Sequence, residues 1–230
     1  MRSLFSRVFA LSDGLNRSNF LHLLQEDPQA RLLDLGCGTG EFTAKCAEKI
    51  GTSDVHGVEI DDENMSKAES RGVKCVRADL NQRLPIDSNY FDVITANQVI
   101  EHLIHCDIFI EEIRRILKPG GYAVISTENL SSWHNIFALV LGYRPFSQSY
   151  GTKFFGNPLS THDQEEQSDL GTHIRVFAYK PFKDVFGLYG FKVESLLGAG
   201  YYPMPSKSLM KLMSRIDPRH AHFITIKVRK

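Results

Sequence analysis

Glycine removes the Cβ from a turn, so alternating glycines mark a place where backbone can pass close to a ligand. Such a run, Gly36-Cys37-Gly38-Thr39-Gly40, follows the apolar stretch Leu32-Leu33-Asp34-Leu35. An acidic residue about 20 positions past a glycine turn is where a ribose hydroxyl pair is held, and Glu59 stands there. An ionised carboxylate only accepts hydrogen bonds, so it can serve both hydroxyls. Three histidines, His102, His134 and His173, are candidates to move a proton near neutral pH. His102 reads as a base or as a helix-start histidine bonded to backbone, with Glu101 orienting it or capping the helix. His173, beside Arg175, reads as a base at the mouth of a cleft or as a structural histidine bonding a lid. His134 sits in an apolar stretch and reads as packing or substrate contact.

These residues need a scaffold. The apolar run before Gly36 reads as a buried parallel strand, and Glu41 to Ile50 as a helix with Phe42, Cys46 and Ile50 on one face. Strand, glycine turn and helix form the opening unit of a nucleotide-type site at the carboxyl end of a sheet. The spacing does not suit a dinucleotide, whose fingerprint is G-x-G-x-x-G. Here the third glycine comes one residue early and Glu41 takes its place, where a carboxylate would repel a pyrophosphate. No Gly-Lys-Ser/Thr follows, so the turn is not a P-loop.

Further strands are expected at Val55 to Ile60, Val73 to Ala78, Phe91 to Ala96 and Tyr122 to Thr127. The helix from Asp107 to Leu117 is the most regular. Ile108, Phe109, Ile113, Ile116 and Leu117 face inward, and Glu111, Glu112, Arg114 and Arg115 outward. A shorter helix is expected from Met65 to Arg71. Two helices open the chain, from Met1 to Leu11 and from Asn16 to Gln25, ahead of Asp27-Pro28. The first is amphipathic and is expected to pack on the domain, with contact to a membrane surface as the alternative.

Asp34, Gly36, Gly38 and Gly40 match, residue by residue, the glycine motif of class I S-adenosylmethionine (SAM) methyltransferases. The stretch from Leu84-Pro85 through Asn89-Tyr90-Phe91-Asp92-Val93-Ile94 to Asn97-Gln98-Val99-Ile100-Glu101-His102-Leu103, and the stop Leu117-Lys118-Pro119-Gly120-Gly121, resemble the same family. The branch they resemble holds ubiquinone- and menaquinone-biosynthesis methyltransferases and many small-molecule relatives. The resemblance runs from about residue 30 to about residue 128. It implies a Rossmann-like sheet of seven mostly parallel strands in the order 3-2-1-4-5-7-6, with helices on both faces and an antiparallel last strand. It implies SAM as cofactor, held by Asp34, Gly36, Cys37, Gly38, Gly40, Glu59, Ile60 and Asn97. Asp79 would receive the adenine amino group, and Leu80 would pack on the ring. The family's N-methylation signature Asn-Pro-Pro-Tyr is absent after the fourth strand, which argues against a nucleic-acid nitrogen as acceptor.

The second half carries less pattern. A helix is expected from Ser131 to Leu141, and a polar connection from Arg144 to Gly171. A connection of that length reads as a lid or binding loop. A lid from Ser131 to Thr172 and a helical cap over residues 1–28 would complete a single domain. The tail reads as a helix from Pro181 to Tyr189, a strand from Phe191 to Leu197, a helix from Ser208 to Ile216 and a strand from His222 to Val228. Trp133, Phe137, Tyr143, Phe146, Tyr150, Phe154, Phe155, Tyr201 and Tyr202 line a pocket for a lipophilic or sugar-like acceptor, or form the core of the cap.

The totals set bounds. The chain has 230 residues, with 27 basic against 27 acidic side chains, so charge offers no argument for nucleic acid. Cys37, Cys46, Cys75 and Cys106 form no C-x-x-C pair, which suits a reduced cytoplasmic protein. His102, His105 and Cys106 lie close in sequence with no fourth ligand in view, and no metal is expected. The expected reaction is methyl transfer to a small-molecule acceptor, first a hydroxyl of a glycan, lipid precursor or natural product. C-methylation of a quinone precursor comes second. A NAD-type oxidoreductase and a non-catalytic SAM-binding protein are the rivals, and oligomeric state is left open.

Overall fold

The apolar run before the glycines forms β1, Arg31–Leu35, in the computed structural model, which describes residues 2–148 and 173–230. Its side chains alternate between two apolar layers, as the period of a strand requires. Leu32 enters one layer, and Leu33 and Leu35 enter the other. β1 pairs in parallel with β2, Asp54–Glu59, on one side and with β4, Phe91–Asn97, on the other. β3, Lys74–Arg77, lies beyond β2, and β5, Leu117–Glu128, beyond β4, both parallel. β7, Phe223–Arg229, runs antiparallel to β5 and to the edge strand β6, Lys192–Ala199. The sheet order is β3-β2-β1-β4-β5-β7-β6, as expected from the resemblance. The order reverses between β1 and β4, and a crevice opens there at the carboxyl ends of the strands.

Helices cover both faces. α1, Arg2–Leu23, and α2, Glu41–Ile50, supply Phe20, Leu23, Cys46 and Ile50 to the layer around Leu32. α3, Asp62–Glu69, closes the same layer with Ala68. On the opposite face α4, Cys106–Ile116, contributes Phe109, Ile113 and Ile116, joined by Phe182 and Phe186 of α6, Tyr179–Leu188. α5, Trp133–Val140, precedes α6, and α7, Lys207–Ile216, connects β6 to β7.

Three features depart from the sequence reading. The N-terminal segment is one helix, not two. Residues 12–15 fall between the two expected helices, yet Ser12 Oγ donates back to the Val8 carbonyl at 2.9 Å, and Arg17 meets Asp13 at 2.9 Å one turn on. Burial of Val8, Leu15 and Phe20 outweighs the modest helix cost of these residues. Glu112 faces inward. Its carboxylate accepts from the Leu84 N–H at 2.8 Å and from Arg115 at 2.7 Å, so the buried charge is paired. β5 begins at Leu117 rather than Tyr122, because Leu117 pairs with Phe91 before the register shifts. Of the aromatic set, Trp133, Phe137 and Tyr143 are exposed and Tyr201 is buried, while Tyr150, Phe154 and Phe155 lie outside the described residues. So does most of the expected lid. No helix among the described residues is long and apolar enough to cross a membrane.

α1 is anchored to the sheet through Asn16, which is fully buried. Its Nδ2 donates to Asn97 Oδ1 at 3.1 Å and its Oδ1 accepts from Thr225 Oγ1 at 2.9 Å. Asn16→Ala leaves the buried Thr225 hydroxyl and the half-buried Asn97 amide each short of a bond, and is expected to cost about 1–3 kcal/mol. Arg17→Ala, which removes an exposed pair one position on, is expected to cost under about 0.5 kcal/mol. Urea midpoints of the two variants check this, and equal midpoints would sink the anchoring role.

Candidate functional site

Asp34 sits beneath the glycine loop, 5% exposed. Its Oδ2 accepts from Thr43 Oγ1 at 2.5 Å, and its Oδ1 accepts from Thr95 Oγ1 at 2.8 Å. One carboxylate thereby ties the end of β1 to the first turn of α2 and to β4. Burial pushes its pKa up to about 6, against the opposing pull of the two hydroxyls.

The loop above is drawn onto β2. Gly36 and Cys37 donate their N–H groups to the Val58 carbonyl at 2.8 and 3.1 Å. Gly40 has φ +76°, and a Cβ there would stand 2.9 Å from the Ala68 Cα, so α3 can approach only a glycine. Gly38 differs, because a Cβ on it would meet nothing within 4 Å. It borders open space. Its N–H donates to Glu59 Oε2 at 2.8 Å, while Glu59 Oε1 accepts from Ile60 and Asp61 N–H at 2.8 and 3.0 Å. Three backbone donors fix this carboxylate at the carboxyl end of β2 and leave about one of its four acceptor directions open.

A cavity of about 670 Å³ lies at the β1–β4 reversal, lined by Gly36, Glu59, Ile60, Asp61, Asp79, Leu80, Asn81, Gln98, Val99, His102 and Ile174 among others. Asp79 accepts from Asn81 N–H at 2.8 Å and from Gln82 Nε2 at 3.2 Å. Burial alone would raise its pKa, but Asn81 and Gln82 outweigh burial and hold the carboxyl below its usual value. Asn81 also crosses the crevice, its Oδ1 accepting from Ile104 and His105 N–H at 2.8 and 3.1 Å. At the end of β4 Gln98 adopts φ +58°, an uncommon conformation for a side-chain-bearing residue, which redirects the chain so that Val99 and His102 face the cavity. Among the described residues lining the cavity there are three carboxylates and no Lys or Arg.

At the other end of the cavity three groups meet. Ligand atoms of Glu101, His102 and His173 all lie within 4.8 Å of one another. The segment carrying His173 is held there by backbone bonds. Ile174 and Arg175 donate N–H to the Glu101 carbonyl at 2.9 and 3.0 Å, and Arg175 Nη2 donates to the Ile104 carbonyl at 2.7 Å. His173 Nδ1 stands 3.1 Å from the Ser147 carbonyl. A carbonyl only accepts, so the proton sits on Nδ1 and Nε2 carries the lone pair in the neutral ring. Glu101 is 1% exposed, and neither carboxylate oxygen has a hydrogen-bond partner among the described residues. Burial pushes its pKa up to about 7, with His173 opposing and Glu128 reinforcing the rise.

Beyond this cluster the polar chain continues. Glu128 at the end of β5 lies 3.7 Å from both His173 Nδ1 and His222 Nε2. Burial would raise its pKa, yet His222, His173 and Ser147 outweigh it and hold the carboxyl well below its usual range. His134 packs against His222 and Tyr202, and burial next to His222 keeps its pKa well below the ordinary value.

Of the residues singled out from sequence, Gly36, Glu59, Ile60, Asp79, Leu80 and His102 line the cavity. Asp34, Cys37 and Gly40 lie beneath or behind the loop and shape it. Asn97 turns its amide oxygen to Asn16 and Ser126, bracing α1. His102 does not gather with His105 and Cys106. It gathers with Glu101 and His173. Asn81, Gln98 and Ile174 were not legible as site residues, although Asn81 and Ile174 adjoin positions that were.

Residues 9–196 match a family model described as a methyltransferase domain. The chain is 31% identical to the ubiquinone biosynthesis O-methyltransferase of Chelativorans sp. over 49% of each chain. It is 27% identical to the demethylmenaquinone methyltransferase of Staphylococcus aureus, over 73% of this chain and 71% of that one. The chain spans about half the length of the first curated relatives it matches. Its fold is shared with a solved S-adenosylmethionine dependent methyltransferase from Mesorhizobium loti at TM-score 0.63 and 19% identity, covering 93% of this chain and 96% of that one.

The Asp34 environment yields a pH test. Its pKa is raised from 3.8 to about 6 on folding, so folding favours the protonated form. That contribution is present in full below the unfolded value and is lost as pH rises through about 6. Asp34→Asn removes the titration and keeps the shape. The wild-type stability minus that of the variant is expected to fall by about 2.4 kcal/mol between pH 4 and pH 7. Urea unfolding of both proteins at the two pH values checks it, and parallel slopes would show that this carboxyl does not titrate on folding.

Proposed function

The chain belongs to the methyltransferase-domain family, and on that premise we propose that it binds SAM in the β1–β4 crevice and methylates a hydroxyl of a small molecule. The observation that carries the cofactor assignment is the charge of the cavity wall. Three carboxylates and no cationic side chain suit a cofactor that is itself cationic and has no phosphate, and they oppose a dinucleotide. Glu59 would hold the ribose. Its remaining acceptor direction takes one hydroxyl, and a second requires the Gly38 N–H to let go. Ile60 and Leu80 flank the base, and Asp79 accepts from its amino group. Bound there, the cofactor supplies a methyl already activated on a sulfonium, so the protein's part is approach and alignment.

The acceptor belongs at the opposite end, where His102 meets the cavity. In the reaction the sulfur–methyl bond breaks with its electron pair left on sulfur, an oxygen–methyl bond forms, and the hydroxyl proton must leave. The groups placed to deal with that proton are His102 and His173, with Glu101 behind them. A glycan, a lipid precursor or a natural product would each offer such a hydroxyl. C-methylation of a quinone precursor is the second reading, favoured by the likeness to the S. aureus demethylmenaquinone methyltransferase.

Calorimetric titration with S-adenosylhomocysteine is expected to show one site of micromolar affinity, and titration with NADH none. Gly38→Arg projects a side chain into the open space of the loop, and is expected to weaken that binding more than about 100-fold, or about 2.7 kcal/mol. Unchanged affinity would overturn the loop assignment. Once an acceptor is in hand, His102→Ala is expected to lower kcat by about 10²–10⁴-fold with the S-adenosylhomocysteine affinity kept. Full turnover would remove His102 from the chemistry.

A further inference from the structure

We infer that Glu101, His102 and His173 form a binding site for one divalent cation of the zinc, manganese or cobalt class, placed to hold the acceptor hydroxyl. Four observations carry it. The three ligand atoms lie within 4.8 Å of one another, and donors on one ion at about 2.0–2.2 Å stand about 3–3.5 Å apart, so the side chains draw in by about an ångström. The Glu101 carboxylate is buried with both oxygens unpartnered among the described residues, which is costly for an ion without a counter-charge. His173 is set up as a ligand. Its Nδ1–H points to the Ser147 carbonyl, the backbone partner that orients a metal-bound imidazole and leaves Nε2 for the metal. His102 lines the cavity, so the site is reached from the crevice.

Two imidazoles and one carboxylate suit zinc, manganese, iron or cobalt better than magnesium or calcium, which take oxygen donors. Three protein ligands leave positions open, as in catalytic rather than structural sites. An acceptor hydroxyl bound at an open position loses its proton to water more readily, because the cation stabilises the alkoxide. That role deepens the methyl-transfer reading and rests on it. The ion site itself does not.

The test uses the full chain stripped with a chelator and titrated with cobalt(II) chloride, followed by calorimetry and by the visible absorption of the bound ion. One cobalt per chain is expected. His173→Ala and the isosteric Glu101→Gln are each expected to weaken it at least about 10-fold, with far-UV circular dichroism and melting temperature reporting the fold. No binding by the wild type up to millimolar cobalt overturns the site. Binding that survives both variants unchanged also overturns it, by placing the ion elsewhere. S-adenosylhomocysteine is titrated into the same samples. Cobalt bound without it leaves the ion site standing and removes the methyl-transfer reading. The nucleoside bound without cobalt removes the ion and leaves that reading intact.

Discussion

The Asp34 carboxylate, buried under the glycine loop, accepts from Thr43 on α2 and from Thr95 on β4. β1, α2 and β4 meet at this one group. Burying a carboxylate is costly, and two short hydroxyl bonds offset that cost only while all three elements keep their places. The position of the loop follows. With α2 fixed, the glycines run back along β2, and the Val58 carbonyl and the Glu59 carboxylate collect their N–H groups. The open side of Gly38 and the free acceptor direction of Glu59 are therefore both consequences of where Asp34 is held.

The crevice that results has two chemically distinct ends. The β2–β3 side presents carboxylates already held in place by backbone and amide donors, each with an acceptor direction to spare, interleaved with Val58, Ile60 and Leu80. Such groups change little when a ligand arrives, which is the condition for preorganised recognition. The β4–β5 side presents two imidazoles and the Glu101 carboxylate, which has no hydrogen-bond partner among the described residues. Asn81 spans the two, with Asp79 beside it and the N–H groups of Ile104 and His105 across the gap.

The sheet was legible in the sequence because its strands are continuous apolar runs broken by turn residues, and parallel strands buried on both faces look like that. Glu59 was legible because its distance from the glycines is set by one helix and one strand, both local. What stayed hidden depends on long-range contact. α1 runs through Ser12-Asp13-Gly14, between the two helices expected there, and only the sheet beneath it shows why the chain remains helical. Glu112 lies on a helix face that its charge assigns to solvent, yet the Leu84 N–H and Arg115 receive it. Glu101 reads as a cap beside His102. That it is buried, and that His173 closes over it, follows from two backbone bonds to its own carbonyl, which no spacing in the chain announces.

Glu101 and Glu128 show how strongly that closure acts. Glu101 lies in the helical turn that follows β4 and Glu128 at the end of β5; both are largely buried and both face His173, yet their proton affinities move in opposite directions. Burial raises both, so burial does not separate them. Partners do. Glu128 stands between two imidazoles, His173 and His222, with Ser147 beside it, and its charge is compensated. Among the described residues Glu101 has no donor at hydrogen-bond distance on either oxygen, Thr127 acts on it only weakly, and it shares only one of those imidazoles. Adding a proton to Glu101 would relieve it, but a protonated carboxyl has one hydrogen to donate and so serves one acceptor. A divalent ion satisfies the carboxylate and both rings at once. Of the two carboxylates, Glu101 is the one with no hydrogen bond from the described residues, and it lies beside the His102 that forms the cavity wall.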